Sequence, residues 1–295
     1  MRFGLRASGG VWCGVGARIN VLQIRVKGTC WFLGETYRPT VLPHTFRLAP
    51  ATFLLFVPST LLQPINYKFD HSYVLDAMKR WPGKFKGMCL ANPSLSPNDA
   101  CTELERLNSQ GFCGVRFNPY LWPEGGEGMK DDTGLALYRK AGELSMPVGV
   151  MCFKGFGRHV KEIEALLASS PQTKLVVDHF GFFLQDGIID EAAWEEILSL
   201  AEYPSVYIKT SALFRVAKDP YPYESLRPRF AALMKHFGSR RLLWGSDFPF
   251  VSDGQCGYGP AKDVVCNGMG LTDEEVHDIT GGTARSLFGT WAQDA

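Results

Sequence analysis

The sequence predicts an α/β chain, a (β/α)8 TIM barrel whose first strand is uncertain or missing. Three observations predict it. Short apolar runs alternate with amphipathic stretches from about residue 53 onward. The spacing between runs suits parallel crossovers rather than hairpins. Each run closes on a polar side chain, as barrel strands do where they deliver groups to the rim at their carboxyl ends.

Along the chain, residues 53–63 read as a strand. Residues 70–81 set Val74, Leu75, Met78 and Trp81 on one helical face. Residues 85–91 are strand-like. Ser96 then caps a helix with Pro97 at its first position, Leu104 and Leu107 inward and Gly111 as its stop. A strand over 112–118 and a helix over 133–145 follow. Residues 147–153 form the next strand, and Val160, Ile163 and Leu167 mark the helix after it.

Residues 174–179 are a strand. A helix from Asp190 brings Trp194, Ile197 and Leu198 to one side. Residues 205–211 are a strand, 229–237 a helix, and the last strand starts at Arg240. Thr272-Asp273-Glu274-Glu275 is a capping box. Gly281-Gly282 interrupts before a final helix over 283–287. These are seven β/α units. An eighth strand must come from the N-terminal segment, where 19–26 (INVLQIRV) and 29–33 are the candidates.

The strand ends carry the chemistry. The segment 240–249, RRLLWGSDFP, is an apolar run that stops on Asp247. The segment 174–181, KLVVDHFG, does the same with His179. The other ends are Gln63, Asn92, Arg116 with Asn118, Lys154, and Lys209 with Ser211. Three cations, one His and one Asp on one rim suit an anionic substrate and proton transfer. Bland readings stand beside these. Polar residues end strands because loops are solvated, Asp two before Pro makes an Asx turn, and a lone His can be a satisfied core residue. Arg116 interrupts an apolar strand, and a buried guanidinium needs a carboxylate, internal or from substrate. Tyr221-Pro222-Tyr223 is a stiff aromatic loop able to close over a ligand or simply to pack.

Composition narrows the classes. A net charge of +1 argues against nucleic acid or an anionic membrane as the main partner. No apolar run approaches the ~20 residues of a membrane span. Eight cysteines include no C-x-x-C pair, which favours a reducing compartment, the cytoplasm, over a disulfide scaffold. Residues 1–69 hold eight Lys/Arg and a single acid, Glu35. A start of that kind admits a chloroplast or mitochondrial transit peptide as the alternative. The expected organisation is an atypical segment over 1–61, transit peptide or alternative exon, and a barrel domain over 62–290. A homo-oligomer is an open alternative.

VVDHFG and LLWGSDFPF resemble the amidohydrolase-related family of the amidohydrolase superfamily, its lactonase and decarboxylase branch. QPINYKFDHSYVLDAMKRWPGKFKGMCLANP, GFCGVRFNPYLWP and ITGGTARSLFG are similar to the family's early units and closing helix. The likeness covers about 62–287. It implies a (β/α)8 barrel, with His179 as metal ligand or water partner and Asp247 as ligand and general base. Arg116, Lys154 and Lys209 are implied as substrate contacts, and Tyr223 of the aromatic loop is expected to join them as that loop closes over a ligand.

The family's first strand ends in His-x-His, and no two histidines here lie two apart; His44 and His71 are isolated. A divalent ion, Zn or Mn, is therefore implied but weakened, and none is needed if the chain is a metal-free lactonase. The expected activity is hydrolysis of a small carboxylated lactone or ester by water that Asp247 activates. A metal-dependent decarboxylase and a catalytically impaired variant are the alternatives.

Overall fold

The seven expected strands and an eighth close into one barrel in the computed structural model, which describes residues 59–252 and 255–291 and the backbone of 20–23. The strands, in chain order, are β1 (Asn20–Gln23), β2 (Ser59–Leu62), β3 (Phe85–Leu90), β4 (Phe112–Phe117), β5 (Val148–Val150) and β6 (Leu175–Val177). A two-stranded antiparallel hairpin follows, β7 (Leu184–Gln185) with β8 (Ile188–Ile189). β9 (Val206–Ser211) and β10 (Leu242–Gly245) complete the set. The barrel order is β1-β10-β9-β6-β5-β4-β3-β2, and every pairing within it is parallel.

The first strand left uncertain by the sequence is thus Asn20–Gln23, inside the 19–26 candidate. It pairs with β2 over four residues and with β10 through Val21 and Gly245. The 29–33 candidate, and residues 53–58 of the expected second strand, lie outside the described residues.

The helices are α1 (Ser72–Arg80), α2 (Pro97–Ser109), α3 (Asp132–Glu143), α4 (Val160–Ser169), α5 (Glu191–Ser199), α6 (Leu213–Val216), α7 (Arg227–Phe237), α8 (Tyr258–Gly268), α9 (Asp273–His277) and α10 (Thr283–Phe288). Their starts follow the expected chemistry. Ser96 accepts the Asp99 amide at 3.2 Å and Pro97 needs no donor there. Asp190 caps α5 through the Ala193 amide, and the Thr272–Glu275 capping box is formed on both sides. Gly281-Gly282 does not interrupt: residues 278–282 make a wide helical turn that joins α9 to α10.

Strand pleating sorts side chains into two clusters. Val115, Phe117, Val177, Ile208 and Trp244 face the helices. Leu62, Met88, Val176, Tyr207 and Leu243 face inward and meet Ala284, Leu287, Phe288 and Trp291. The C-terminal helix therefore plugs the barrel on the amino side of the polar groups. Along β9 the inward positions read Tyr207, Lys209, Ser211, from apolar plug to polar rim. Gly149 is small because a Cβ would lie 2.9 Å from Met88 Cε in this crowded interior.

Candidate active site

Two carboxylates at the carboxyl end of the barrel organise the site. Asp178 follows β6 and is buried. Lys209 on β9 donates to its Oδ1 at 2.9 Å, and Arg116 Nη2 on β4 lies 2.7 Å from its Oδ2. The partner that a buried guanidinium requires is therefore internal. Burial works against the Asp178 charge, but Arg116 and Lys209 together hold the carboxyl well below the usual range. Burial pushes the Lys209 amine down, opposed by Asp178. Arg116 Nε has no partner among the described residues and is buried.

Asp247, two residues beyond β10, is the second carboxylate and is also buried. Arg215 on the short helix α6 donates from Nε to its Oδ2 at 2.9 Å. Its Oδ1 faces His179 Nε2 across 3.7 Å, too far for a hydrogen bond. His179 Nδ1 lies 2.7 Å from Ser211 Oγ on β9. Burial pushes the imidazole down to about 4, although Asp247 and Asp178 oppose the shift. The ring is therefore neutral at neutral pH. Phe182 packs edge-on against it at 5.1 Å.

The backbone bends sharply to present both groups. His179 has φ +53°, Phe180 +54° and Asp247 +54°, all left-handed. Non-glycine residues adopt this region only where surrounding packing enforces it, and such positions gather at functional sites. Gly181 follows with φ +72°, where a Cβ would meet Ile197 Cδ1 at 2.5 Å.

The other expected residues have partners of their own. Lys154 is exposed, with Nζ 4.8 Å from the Tyr120 ring centre. Its amide donates to the Tyr120 hydroxyl, which also meets His159 Nε2 at 3.2 Å. Tyr223 is buried and donates its hydroxyl to Cys256 Sγ at 3.5 Å. Neither makes a contact with the Asp178–Asp247 group among the described residues. Gln63 binds the Lys68 and Asp70 carbonyls, and Asn92 forms a local turn with Ser94, so both end strands for structural reasons. Asp178, Ser211 and Arg215 enter the site without having been given roles from the sequence.

A cavity of about 450 Å³ lies elsewhere, bordered by His71, Asn92, Glu103, Leu104 and Val115. None of the Asp178–Asp247 group lines it. His71 accepts the Leu90 amide through Nε2 at 3.0 Å and packs edge-on against Phe112.

A family model described as Amidohydrolase matches residues 34–290. The chain belongs to the amidohydrolase family. This amidohydrolase is 26% identical over 188 residues to the 4-sulfomuconolactone hydrolase of Rhizobium radiobacter, covering 64% of this chain and 60% of that protein. Over 97 residues it is 35% identical to the L-fucono-1,5-lactonase of Burkholderia ambifaria, covering 31% of this chain and 32% of the relative. The matches span less than two thirds of either relative. A Pseudomonas putida structure described as a 2-pyrone-4,6-dicarboxylic acid hydrolase superposes with a TM-score of 0.67 at 24% identity, over 79% of this chain and 82% of that one, and shows the same fold.

The divalent ion that the family implies does not fit the described residues. A 3.7 Å separation lets one ion sit about 2.0–2.2 Å from both His179 Nε2 and Asp247 Oδ1. A catalytic zinc takes three protein ligands, and among the described residues no three His, Cys, Asp or Glu side chains converge. The β1 residues Asn20–Gln23 include no histidine. Asp178 is held by two cations, and Arg215 already neutralises Asp247. Among the described residues no helix is long and apolar enough to cross a membrane.

Proposed function

We propose that this amidohydrolase opens a small carboxylated lactone or related ester without a metal ion, using Asp247 as the base. One observation carries the reading: among the described residues Asp247 keeps a single oxygen unengaged, and that oxygen faces a neutral histidine across a gap. The surroundings favour an anion. Arg116, Lys209 and Arg215 stand against Asp178 and Asp247, one positive charge in excess. The lactone-hydrolysing relatives support the choice of bond.

In this mechanism Asp247 Oδ1 takes a proton from a water, and the water oxygen bonds to the lactone carbonyl carbon. The carbonyl π electrons move onto its oxygen. The Nε–H of Arg116, without a partner among the described residues, is the donor for that oxyanion, and His179 holds the reacting groups in line. The oxyanion collapses, the ring C–O bond breaks, and the leaving oxygen takes the proton from Asp247. The product is a hydroxy acid.

The test is turnover of a panel of carboxylated and neutral lactones in the presence of a chelator, with Asp247→Asn beside the parent. Chelator-resistant cleavage is expected, lowered about 100- to 10,000-fold by Asp247→Asn. Full activity in Asp247→Asn would falsify the role of the carboxylate. Activity lost to the chelator and restored by zinc or manganese would overturn the metal-free route.

A further inference from the structure

Ser211 ends β9 with its side chain inside the barrel, and neither it nor His179 has meaningful contact with solvent. Its hydroxyl lies 2.7 Å from His179 Nδ1 and has no other partner among the described residues. A hydroxyl carries one proton to donate, and a neutral imidazole carries one N–H and one lone pair. Two arrangements are open. If Nδ1–H donated to Ser211, the hydroxyl proton would be left buried with no acceptor, a costly state. The Nε2 lone pair would also face the Asp247 carboxylate at 3.7 Å. If Ser211 donates to Nδ1, both problems disappear, because Nε2–H then points toward the carboxylate side.

We infer that Ser211 is a positioning residue that fixes the tautomer of His179, so that Nε2 presents an N–H to the gap beside Asp247. The consequence for chemistry rests on the lactone reading above. Nε2–H is a donor for an oxygen of the reacting group and cannot act as the base. Nor does this tautomer offer a lone pair to a metal at Nε2, since a metal-ligating histidine donates its other ring N–H outward. Here that other nitrogen accepts. The tautomer and the short ligand count therefore point the same way.

The experiment is heteronuclear NMR of isotopically labelled imidazoles in the full chain near neutral pH, with His179 assigned by the signal absent from His179→Gln. The expected spectrum shows the proton on Nε2 in the parent and a mixture of tautomers in Ser211→Ala. In the same variant kcat for lactone opening falls about 10-fold while KM stays within about twofold. A proton on Nδ1 in the parent overturns the inference, as does an unchanged spectrum in Ser211→Ala. Added zinc that moves the proton to Nδ1 and binds Nε2 overturns it as well. The parent spectrum is read on the resting protein. A chain that opens no lactone therefore refutes the hydrolytic reading alone, and a ring protonated on Nδ1 refutes this one alone.

Discussion

Asp178 and Asp247 are both buried carboxylates at the carboxyl ends of barrel strands, yet they are built for opposite purposes. Asp178 has a cation on each oxygen, from β4 and β9, and ties three strands together. Asp247 has one cation, the half-exposed Arg215, and leaves its second oxygen turned toward His179. The residue next to His179 in the sequence thus serves as a structural tie, while the carboxylate proposed as the base follows another strand, β10. The degree of neutralisation, more than burial, separates a carboxylate that holds a barrel together from one free to take a proton.

The largest effect should come from breaking the tie. Asp178→Asn leaves Arg116 and Lys209 buried without a counter-charge, and a loss of about 3–5 kcal/mol is expected in denaturant unfolding. Asp247→Asn should cost far less stability, because Arg215 can turn to solvent; equal losses would erase the distinction drawn here.

Acid should separate the two regions next. The His179 ring binds its proton near pH 6.5 when unfolded but only at about 4 when folded. Between those values the unfolded chain holds the extra proton, so stability is full above pH 6.5 and declines as pH falls toward 4. The decline amounts to about 3 kcal/mol. Asp178, also depressed in the fold, adds its loss only below the ordinary carboxylate range. Unfolding curves across acid pH should therefore fall in two stages; His71, which burial also pushes down, shares the first, so His179→Gln should shrink that stage and leave the second unchanged.

The smallest effect belongs to Arg215→Gln. Arg215 is exposed but Asp247 is buried; because Gln keeps an N–H donor for the buried Oδ2, the loss of stability should stay at about 1–2 kcal/mol. If it also attracts the substrate anion, KM for a carboxylated lactone should rise while that for a neutral one stays put. Parallel kinetics on the two substrates check this.

Much of this was legible in the chain. Apolar runs located the strands, and the rule that barrel strands end on their working residues singled out His179 and Asp247, which the fold brings face to face. What escaped depends on partners rather than on local pattern. Nothing near Arg116 shows that its carboxylate is Asp178, because the pairing is made by inward register across three strands. Arg215 sits on a four-residue helix entered through a left-handed Ala212, too short to leave a period. The β7–β8 strands have two residues each, below the length at which alternation can be read. α8 opens on Tyr-Gly-Pro, which reads as a turn.

The plug formed by Leu287, Phe288 and Trp291 bears on the order in which this molecule can assemble. Lys86 Nζ donates to the Phe288 carbonyl from 202 residues away, and the inner faces of β2, β3, β6, β9 and β10 all rest on the same short segment. During synthesis the early strands must wait, with their inward apolar faces uncovered, until that distant helix arrives. Such long separations slow folding and lengthen the exposure of sticky surfaces. The interior of the barrel is therefore completed only once residues 284–291 have been made and docked.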